Sequence, residues 1–220
     1  MEALSLNDVR YEYKNKYQTV HALSGVSYEF KRGVFYAVMG KSGSGKTTML
    51  SMLAGLDNPT SGEVMIDDMT IRNIDHEKYR LKHISVIYQS LNLFPLLTAI
   101  ENVMFPLEYK KMPKAEARKT AAEKLRSVGI EETMFRRLPS MLSGGEQQRV
   151  AIARALANKT EFILADEPTG NLDADNSEKI VQLLKDLAKE ENLCVIVVTH
   201  DPSVSGEADI VLKLSDGQML

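Results

Sequence analysis

The chain has 220 residues, of which 44% are hydrophobic and 26% are charged. This length is enough to bury a sizeable core, and the composition excludes the disordered, collagen-like and membrane classes of protein. The 27 Lys and Arg residues against 30 Asp and Glu give a formal net charge of −3, so the broad basic surface of a nucleic-acid-binding protein is absent and we expect no nucleic-acid partner.

The first predicted elements are strands. We expect neither a secretory leader, because no charged–apolar–small pattern opens the sequence, nor a membrane span, because no apolar run reaches the roughly 18 residues that one needs. The stretches Leu4 to Tyr13 and Ala22 to Phe30 are predicted to form antiparallel strands at one edge. Five later apolar runs are rich in β-branched residues and favour a mostly parallel sheet that is buried on both faces. They are Val34 to Met39, Ile84 to Tyr88, Phe162 to Ala165, Val195 to Val198 and Ile210 to Leu214.

A helical segment interrupts these strands between Ser90 and Leu142. Within Lys114 to Val128, four apolar residues share one helical face: Ala117, Ala121, Leu125 and Val128. We predict one α/β domain over residues 1–220. Its core, with the antiparallel β edge, comprises residues 1–89 and 159–220, and a small helical subdomain covers about residues 90–158. Neither a repeat nor a Pro/Gly/Ser-rich linker divides the chain.

A glycine-rich loop follows the strand that ends at Met39 and leads into the helical pattern Thr47 to Leu53. It fits G-x-x-x-x-G-K-[ST], the phosphate-binding pattern in which backbone N–H groups and a helix N-terminus surround phosphate oxygens. A turn that merely caps a helix is the alternative. The predicted nucleotide-binding residues here are Gly40, Lys41, Ser42, Gly43, Ser44, Gly45, Lys46, Thr47 and Thr48.

Two acids end the strand Phe162 to Ala165. Asp166 is suited to orient Mg²⁺ and Glu167 to accept a proton from an attacking water, but two acids after a strand also begin loops or cap helices. A second anion site is predicted at Ser143, Gly144 and Gly145, where a hydroxyl and free N–H groups begin a helix. A helix cap alone would not explain why this site accompanies a phosphate loop about a hundred residues upstream.

Leu142 to Gln148 resembles the signature motif of ABC ATPases, and the other motifs of that family occur in order over essentially the whole chain. The glycine-rich loop resembles Walker A, with Lys41 at a variable position, and the pair after Ala165 resembles Walker B. The remaining matches are Tyr13 for the adenine-stacking aromatic, Gln89 for the Q-loop, Asp173 for the D-loop and His200 for the switch histidine. By themselves, Tyr13 would also fit an ordinary edge-strand aromatic and His200 a structural histidine.

The resemblance implies an ATPase that works as a head-to-tail dimer, in which Ser143, Gly144 and Gly145 of one subunit close over ATP held by the other. It implies catalytic roles for Lys46, Gln89, Glu167 and His200, and Mg²⁺ ligands at Thr47, Gln89 and Asp166. A separate membrane permease would be the partner, with the chain cytoplasmic at the inner face of the membrane.

Residues 165–173 and 142–149 look like the branch that contains lipoprotein-release, macrolide-export, peptide-antibiotic-resistance and cell-division ATPases. That likeness implies export or force transmission to the envelope. Two rivals remain open. A non-transport ABC ATPase acting on nucleic acid or ribosomes usually has a second cassette or a long coiled-coil insertion, and a P-loop kinase or GTPase would need no serine–diglycine motif.

Overall fold

A computed structural model describes residues 3–220, whose strands form two separate sheets. The smaller sheet is antiparallel and has the strand order β2-β1-β4-β5. Its strands are β1 (Ala3–Lys14), β2 (Thr19–Lys31), β4 (Ser61–Ile66) and β5 (Met69–Thr70).

The larger sheet has the order β10-β9-β3-β8-β7-β6, and all of its neighbouring strands are parallel except the antiparallel pair of β9 and β10. Its strands are β3 (Phe35–Met39), β6 (Ile84–Ile87), β7 (Phe162–Asp166), β8 (Cys194–Thr199), β9 (Ile210–Ser215) and β10 (Gln218–Met219).

The helices fall into a group beside the sheets and a group between β6 and β7. They are α1 (Lys46–Leu53), α2 (His76–His83), α3 (Ala99–Tyr109), α4 (Lys114–Ser127), α5 (Gly144–Ala157), α6 (Ala174–Glu190) and α7 (Pro202–Glu207). Three short 3₁₀ turns occupy Ile71–Asn73, Glu132–Met134 and Pro139–Met141. Within residues 3–220, none of the helices has both the length and the apolar character that crossing a bilayer requires.

Every predicted strand is present, and its ends lie within three residues of the predicted ones. The predicted antiparallel β edge forms a sheet of its own, in which β1 pairs with β2 and β4 and the inner face packs on α1. One expectation needs correction. Strand β9 is not buried on both faces: Ile210 and Val211 are 37% and 43% exposed, because β10 pairs only with Leu214 and Ser215 and leaves the start of β9 at the edge of the sheet.

Alternate side chains of the central strands enter two different cores, as the period-two geometry of a strand requires. In β7, Ile163 and Ala165 face the core that contains the helices α3 to α6, whereas Phe162 and Leu164 face the core that contains α1 and the antiparallel sheet. The parallel sheet is therefore the layer that both cores share. In β8, Cys194 is buried, and this burial raises the pKa of its thiol.

The predicted face of α4 is confirmed, because Ala117, Ala121 and Leu125 are fully buried and Val128 is 3% exposed. These residues pack in the same core as apolar residues of α3 and α5. The connection from β6 to α3 has no regular secondary structure, and it is held by the buried side chain of Asn102. That amide accepts a hydrogen bond from Phe94 N at 2.8 Å and donates to Leu97 O at 2.9 Å.

Candidate functional site

A cleft of about 760 Å³ lies at the carboxyl ends of the parallel strands, the usual position for a ligand in an open α/β sheet. Most of the predicted site residues line this main cleft, although they are far apart in sequence. Its lining comprises Tyr13, Val20, His21, Ala22, Lys41, Ser42, Gly43, Gly45, Lys46, Thr47, Thr48, Gln89, Asp166, Glu167 and His200.

The glycine-rich loop has a backbone that only glycine suits at two positions. Gly43 has φ +80° and Gly45 has φ +103°, both in the left-handed region. A Cβ at Gly45 would also lie 2.3 Å from Ala22 O, so the loop and β2 touch backbone to backbone. The loop therefore passes directly from β3 into α1 with its N–H groups at the start of the helix, which is the arrangement that binds phosphate.

Lys46 is almost fully buried, and its ammonium group lies over the loop. Its Nζ donates to Gly40 O at 2.8 Å and to Lys41 O at 3.1 Å. Gly40 and Ser44 lie on the other side of the loop, where they line a second cleft together with residues of β9. The loop thus separates the two clefts, and Lys46 supplies the positive charge on the side of the main cleft.

A hydroxyl and a carboxylate meet where α1 faces the end of β7. The two oxygens, Thr47 Oγ1 and Asp166 Oδ1, are 3.5 Å apart. Burial raises the pKa of the Asp166 carboxyl above its ordinary value, and the hydrogen bond from Thr47 opposes that shift. Such a pair of hard oxygens, one of them on a desolvated carboxylate, suits the first ligands of Mg²⁺.

The Glu167 carboxylate is held in one orientation by two residues, Thr199 at the end of β8 and His200 directly after it. Its Oε2 accepts a hydrogen bond from the buried Thr199 hydroxyl at 2.8 Å, and its Oε1 lies 2.7 Å from His200 Nδ1. The residue itself has φ +45°, a left-handed conformation that a non-glycine side chain adopts only when its surroundings hold it there. The carboxylate is therefore preoriented at the edge of the cleft, as a general base must be.

Gln89 follows β6 by two residues and is exposed in the cleft. Its backbone carbonyl accepts a hydrogen bond from Asn171 Nδ2 at 3.3 Å. The side-chain Nε2 passes close to Gly170, where a Cβ would lie 3.2 Å away. Gln89 is thus in contact with the segment that leads from Glu167 to α6.

Tyr13 is at the outer rim of the cleft and is 52% exposed. Its hydroxyl lies 3.2 Å from Thr48 Oγ1, and its ring meets Tyr11 edge to face with the centroids 4.9 Å apart. Tyr11 in turn hydrogen-bonds Asp57, which raises the pKa of Tyr11 to about 12. The Tyr13 ring is therefore fixed from one side and open on the other, as a stacking platform requires.

The serine–glycine segment (Ser143, Gly144, Gly145) and Asp173 do not line the main cleft. Ser143 caps α5 reciprocally with Glu146, which accepts from Ser143 N at 2.6 Å; this bond is the main reason that the pKa of Glu146 is lowered. Gly145 is buried against Asn176, where a Cβ would lie 2.7 Å from Oδ1. The segment therefore packs on the start of α6, with Ser143 and Gly144 exposed.

Four residues of this site were not predicted. Val20, His21 and Ala22 line the cleft from β2, because only the packing of β2 beside the glycine-rich loop brings them there. Thr199 holds Glu167, and only its position immediately before His200 could have indicated it.

Comparisons with known proteins agree on one family. A family model described as "ABC transporter" matches residues 23–170. The chain is 46% identical to an uncharacterized ABC transporter ATP-binding protein of Methanocaldococcus jannaschii, over 98% of this chain and 94% of that protein. It is 40% identical to the macrolide export ATP-binding/permease protein of Syntrophobacter fumaroxidans, over 99% of this chain and 31% of that longer protein.

The fold is also similar to a solved structure of the same M. jannaschii cassette. That structure is described as a dimeric, post-hydrolysis state bound to ADP and Pi. It matches with a TM-score of 0.90 at 45% identity and covers 98% of this chain and 95% of that one. The likeness therefore extends over the parallel sheet, the antiparallel sheet and the helical segment together.

Proposed function

Because this chain belongs to the ABC transporter family as an ATP-binding, ATP-hydrolysing subunit, we propose that it clamps ATP in a head-to-tail dimer and thereby drives a separate membrane permease. One observation carries the proposal. The chain has two segments suited to bind phosphate, the glycine-rich loop and the serine–glycine segment, and only the first lines the main cleft. A second copy of the chain, turned head to tail, is the simplest source of the missing half of the site.

In the proposed reaction, Glu167 accepts the proton of the water that attacks the γ-phosphate. Its contact with Thr199 and His200 orients the carboxylate before ATP arrives. When Glu167 is ionised, His200 must carry a hydrogen on Nδ1 to make this bond, and Nε2 donates to a phosphate oxygen only in the imidazolium form, in which both ring nitrogens carry a hydrogen. Lys46 and the loop N–H groups stabilise charge on the β- and γ-phosphates.

The residues that would hold Mg²⁺ are Thr47, Asp166 and Gln89. The 3.5 Å approach of the Thr47 hydroxyl to Asp166 and the burial of that carboxylate fit a hard divalent cation. When bound, the ion would offset the negative charge of the phosphates. Tyr13 would stack on the base, and Asp173, through its place at the start of α6, would lie at the dimer contact.

A permease partner is supported by apolar surface on the helical segment. The rings of Phe94 and Phe105 pack against each other at a tilt of 44°, with centroids 4.4 Å apart, although both are exposed, and Leu96 is 87% exposed. Exposed apolar groups that cluster in this way mark a contact surface. The relative from S. fumaroxidans, whose name joins an ATP-binding part to a permease, supports export as the use of the movement and the inner face of the membrane as the location.

The proposal is tested by trapping the dimer. Glu167→Gln keeps the shape of the side chain but removes the base, so we expect turnover to fall by a factor of about 10²–10⁴ while ATP binding persists. ATP should then accumulate a dimer that size-exclusion chromatography resolves from the monomer.

Adding Ser143→Arg to Glu167→Gln should abolish the dimer and spare binding of a fluorescent ATP analogue, because the new side chain would fill the place of the phosphates at the contact. The matched control is Ser127→Arg, which alters an exposed serine of α4 and should leave the dimer intact. A dimer that survives Ser143→Arg would contradict the shared site.

A further inference from the structure

A strained turn carries Gln89. After Gln89 and Ser90, two consecutive non-glycine residues adopt the left-handed conformation, Leu91 with φ +61° and Asn92 with φ +46°. Asn92 tolerates this conformation, but for Leu91 it is unfavourable and persists only where neighbouring groups hold it. The turn therefore needs stabilising contacts.

The contact that holds the turn comes from Arg154 on α5. Its Nη1 donates to Asn92 O and its Nη2 to Leu91 O, each at 2.7 Å. The planar guanidinium presents two parallel donors, so one side chain binds both carbonyls at once, which a lysine cannot do. Burial lowers the pKa of Arg154, although the group remains charged at every pH of interest.

The turn passes any displacement on to Gln89. Leu91 N donates to Tyr88 O at 2.9 Å, and Asn92 N donates to Ser90 O at 2.7 Å. These bonds enclose Gln89 between the end of β6 and the two carbonyls that Arg154 binds. A shift of α5 relative to the sheet therefore either moves the backbone of Gln89 or is opposed by the hydrogen bonds on both sides of that residue.

The same helix begins at the serine–glycine segment. Ser143 caps α5 and Arg154 lies eleven residues further on, about 16 Å along a rigid helix. In the head-to-tail dimer of the proposed function, on which this inference rests, Ser143 serves the nucleotide of the partner and Gln89 serves the chain's own. We propose that Arg154 is a positioning residue that couples the two nucleotide sites, by tying α5 to the turn that carries Gln89.

The experiment measures ATP turnover by the full chain as a function of ATP concentration. If the two sites are coupled, the wild-type protein gives a Hill coefficient between 1 and about 2, the number of sites in the dimer. Arg154→Lys keeps the positive charge but loses the two parallel N–H donors of the guanidinium, so the Hill coefficient should fall to about 1. The kcat should fall about tenfold, because Gln89 is misplaced, while the affinity of the monomer for a fluorescent ATP analogue changes by less than about twofold.

Two controls separate coupling from folding. Arg126→Lys changes an exposed arginine of α4 that pairs with Glu132, and it should leave both kinetic constants and the Hill coefficient unchanged. The variant Asn92→Pro displaces the turn from its own side, because proline fixes φ near −65° where Asn92 has φ +46°, and it leaves α5 intact. It should reduce the Hill coefficient as Arg154→Lys does, and it serves as the test even where Arg154→Lys folds poorly.

The outcomes are distinct. Variants that remain as cooperative as the wild-type chain overturn the role of Arg154, and so does a loss of thermal stability with unchanged kinetics, since that would mark a purely structural residue. A wild-type chain that neither dimerises with ATP nor hydrolyses it cooperatively overturns the shared site together with the coupling.

Discussion

At the residue scale, the site is built from groups that are each held by neighbours distant in sequence. Glu167 is oriented by Thr199 and His200, and the Lys46 ammonium rests on loop carbonyls. Asp166 is the residue whose burial works against stability, because a carboxylate at the end of β7 is desolvated before any cation neutralises it.

Ionised Asp166 destabilises the folded chain. Its folded pKa is raised, so the folded state holds the proton more tightly than the unfolded chain does. The contribution of this group to stability therefore declines as pH rises from the ordinary carboxyl pKa through the folded one, and above the folded pKa the ionised group destabilises the fold.

We therefore expect Asp166→Asn to raise the free energy of unfolding at pH 7 by about 0.5–1 kcal/mol, allowing for solvent screening of a half-buried group. The gain should shrink as the pH falls through the raised folded pKa towards the ordinary carboxyl value. Urea denaturation without nucleotide or divalent cation measures it. Asp173→Asn is the matched control with the opposite sign, because hydrogen bonds from Asn176 lower the pKa of that carboxyl. A less stable Asp166→Asn protein at pH 7 would contradict the argument.

At the element scale, single helices join features that the chain separates. Helix α5 begins at the serine–glycine segment and ends beyond Arg154, so it spans from the proposed dimer contact to the turn of Gln89. Helix α3 begins with a capping box between Thr98 and Glu101 and carries Asn102 on its inner side. Between them these helices hold the otherwise irregular connection from β6 to α3.

Asn102 should be one of the most sensitive polar residues of the helical segment. It is fully buried and its amide bonds four backbone groups, namely Phe94 N and the carbonyls of Phe94, Leu97 and Thr98. Asn102→Ala strands these groups away from water, so we expect a loss of about 2–4 kcal/mol in the free energy of unfolding. Asn58→Ala, at an exposed asparagine, should stay within about 0.5 kcal/mol by the same denaturation assay. Equal effects of the two substitutions would refute this role of the amide.

At the scale of the whole molecule, the parallel sheet joins two cores that would otherwise be separate. Ile163 faces the core that contains the helical segment, and the next residue, Leu164, faces the core that contains α1 and the antiparallel sheet. Both side chains are fully or almost fully buried, at 1% and 0% exposure. We expect this shared layer to make the chain unfold as a single domain, as its uninterrupted sequence predicts.

Substitutions at these two neighbours test the cooperativity. Ile163→Ala and Leu164→Ala should each lower the free energy of unfolding by about 2–5 kcal/mol through lost burial and the cavity that remains. Because both cores share β7, each variant should still show one transition, with the same midpoint by circular dichroism and by tyrosine fluorescence. Two separated transitions in the Ile163→Ala protein would show that the helical segment unfolds by itself.

Prediction from the sequence succeeded where local pattern and tertiary environment agree. The buried parallel strands and the α4 face with Ala117, Ala121 and Leu125 are confirmed, since continuous apolar runs and helical spacing survive in any packing. Strands β4, β5 and β10 were not predicted. Strands β5 and β10 have only two residues each, and β4 begins with Ser-Gly-Glu, which has low strand propensity. These three strands therefore form because partner strands pair with them, not because their own sequences favour a strand. The exposed side of β9 was mispredicted, because an apolar run does not tell how many neighbours its strand will have.

By itself, the sequence determined the family, the α/β class and the spacing of the phosphate-binding and acidic motifs. These features can be read from short stretches of sequence, because the glycine, lysine and carboxylate residues of each motif are neighbours in the chain. Only the tertiary structure decided which residues meet. It set Thr199 and His200 against Glu167, attached Arg154 to the turn after Gln89, and directed the serine–glycine segment away from the main cleft. The physical reason is that contacts between residues so far apart in the chain depend on strand order and helix packing, which no local pattern specifies.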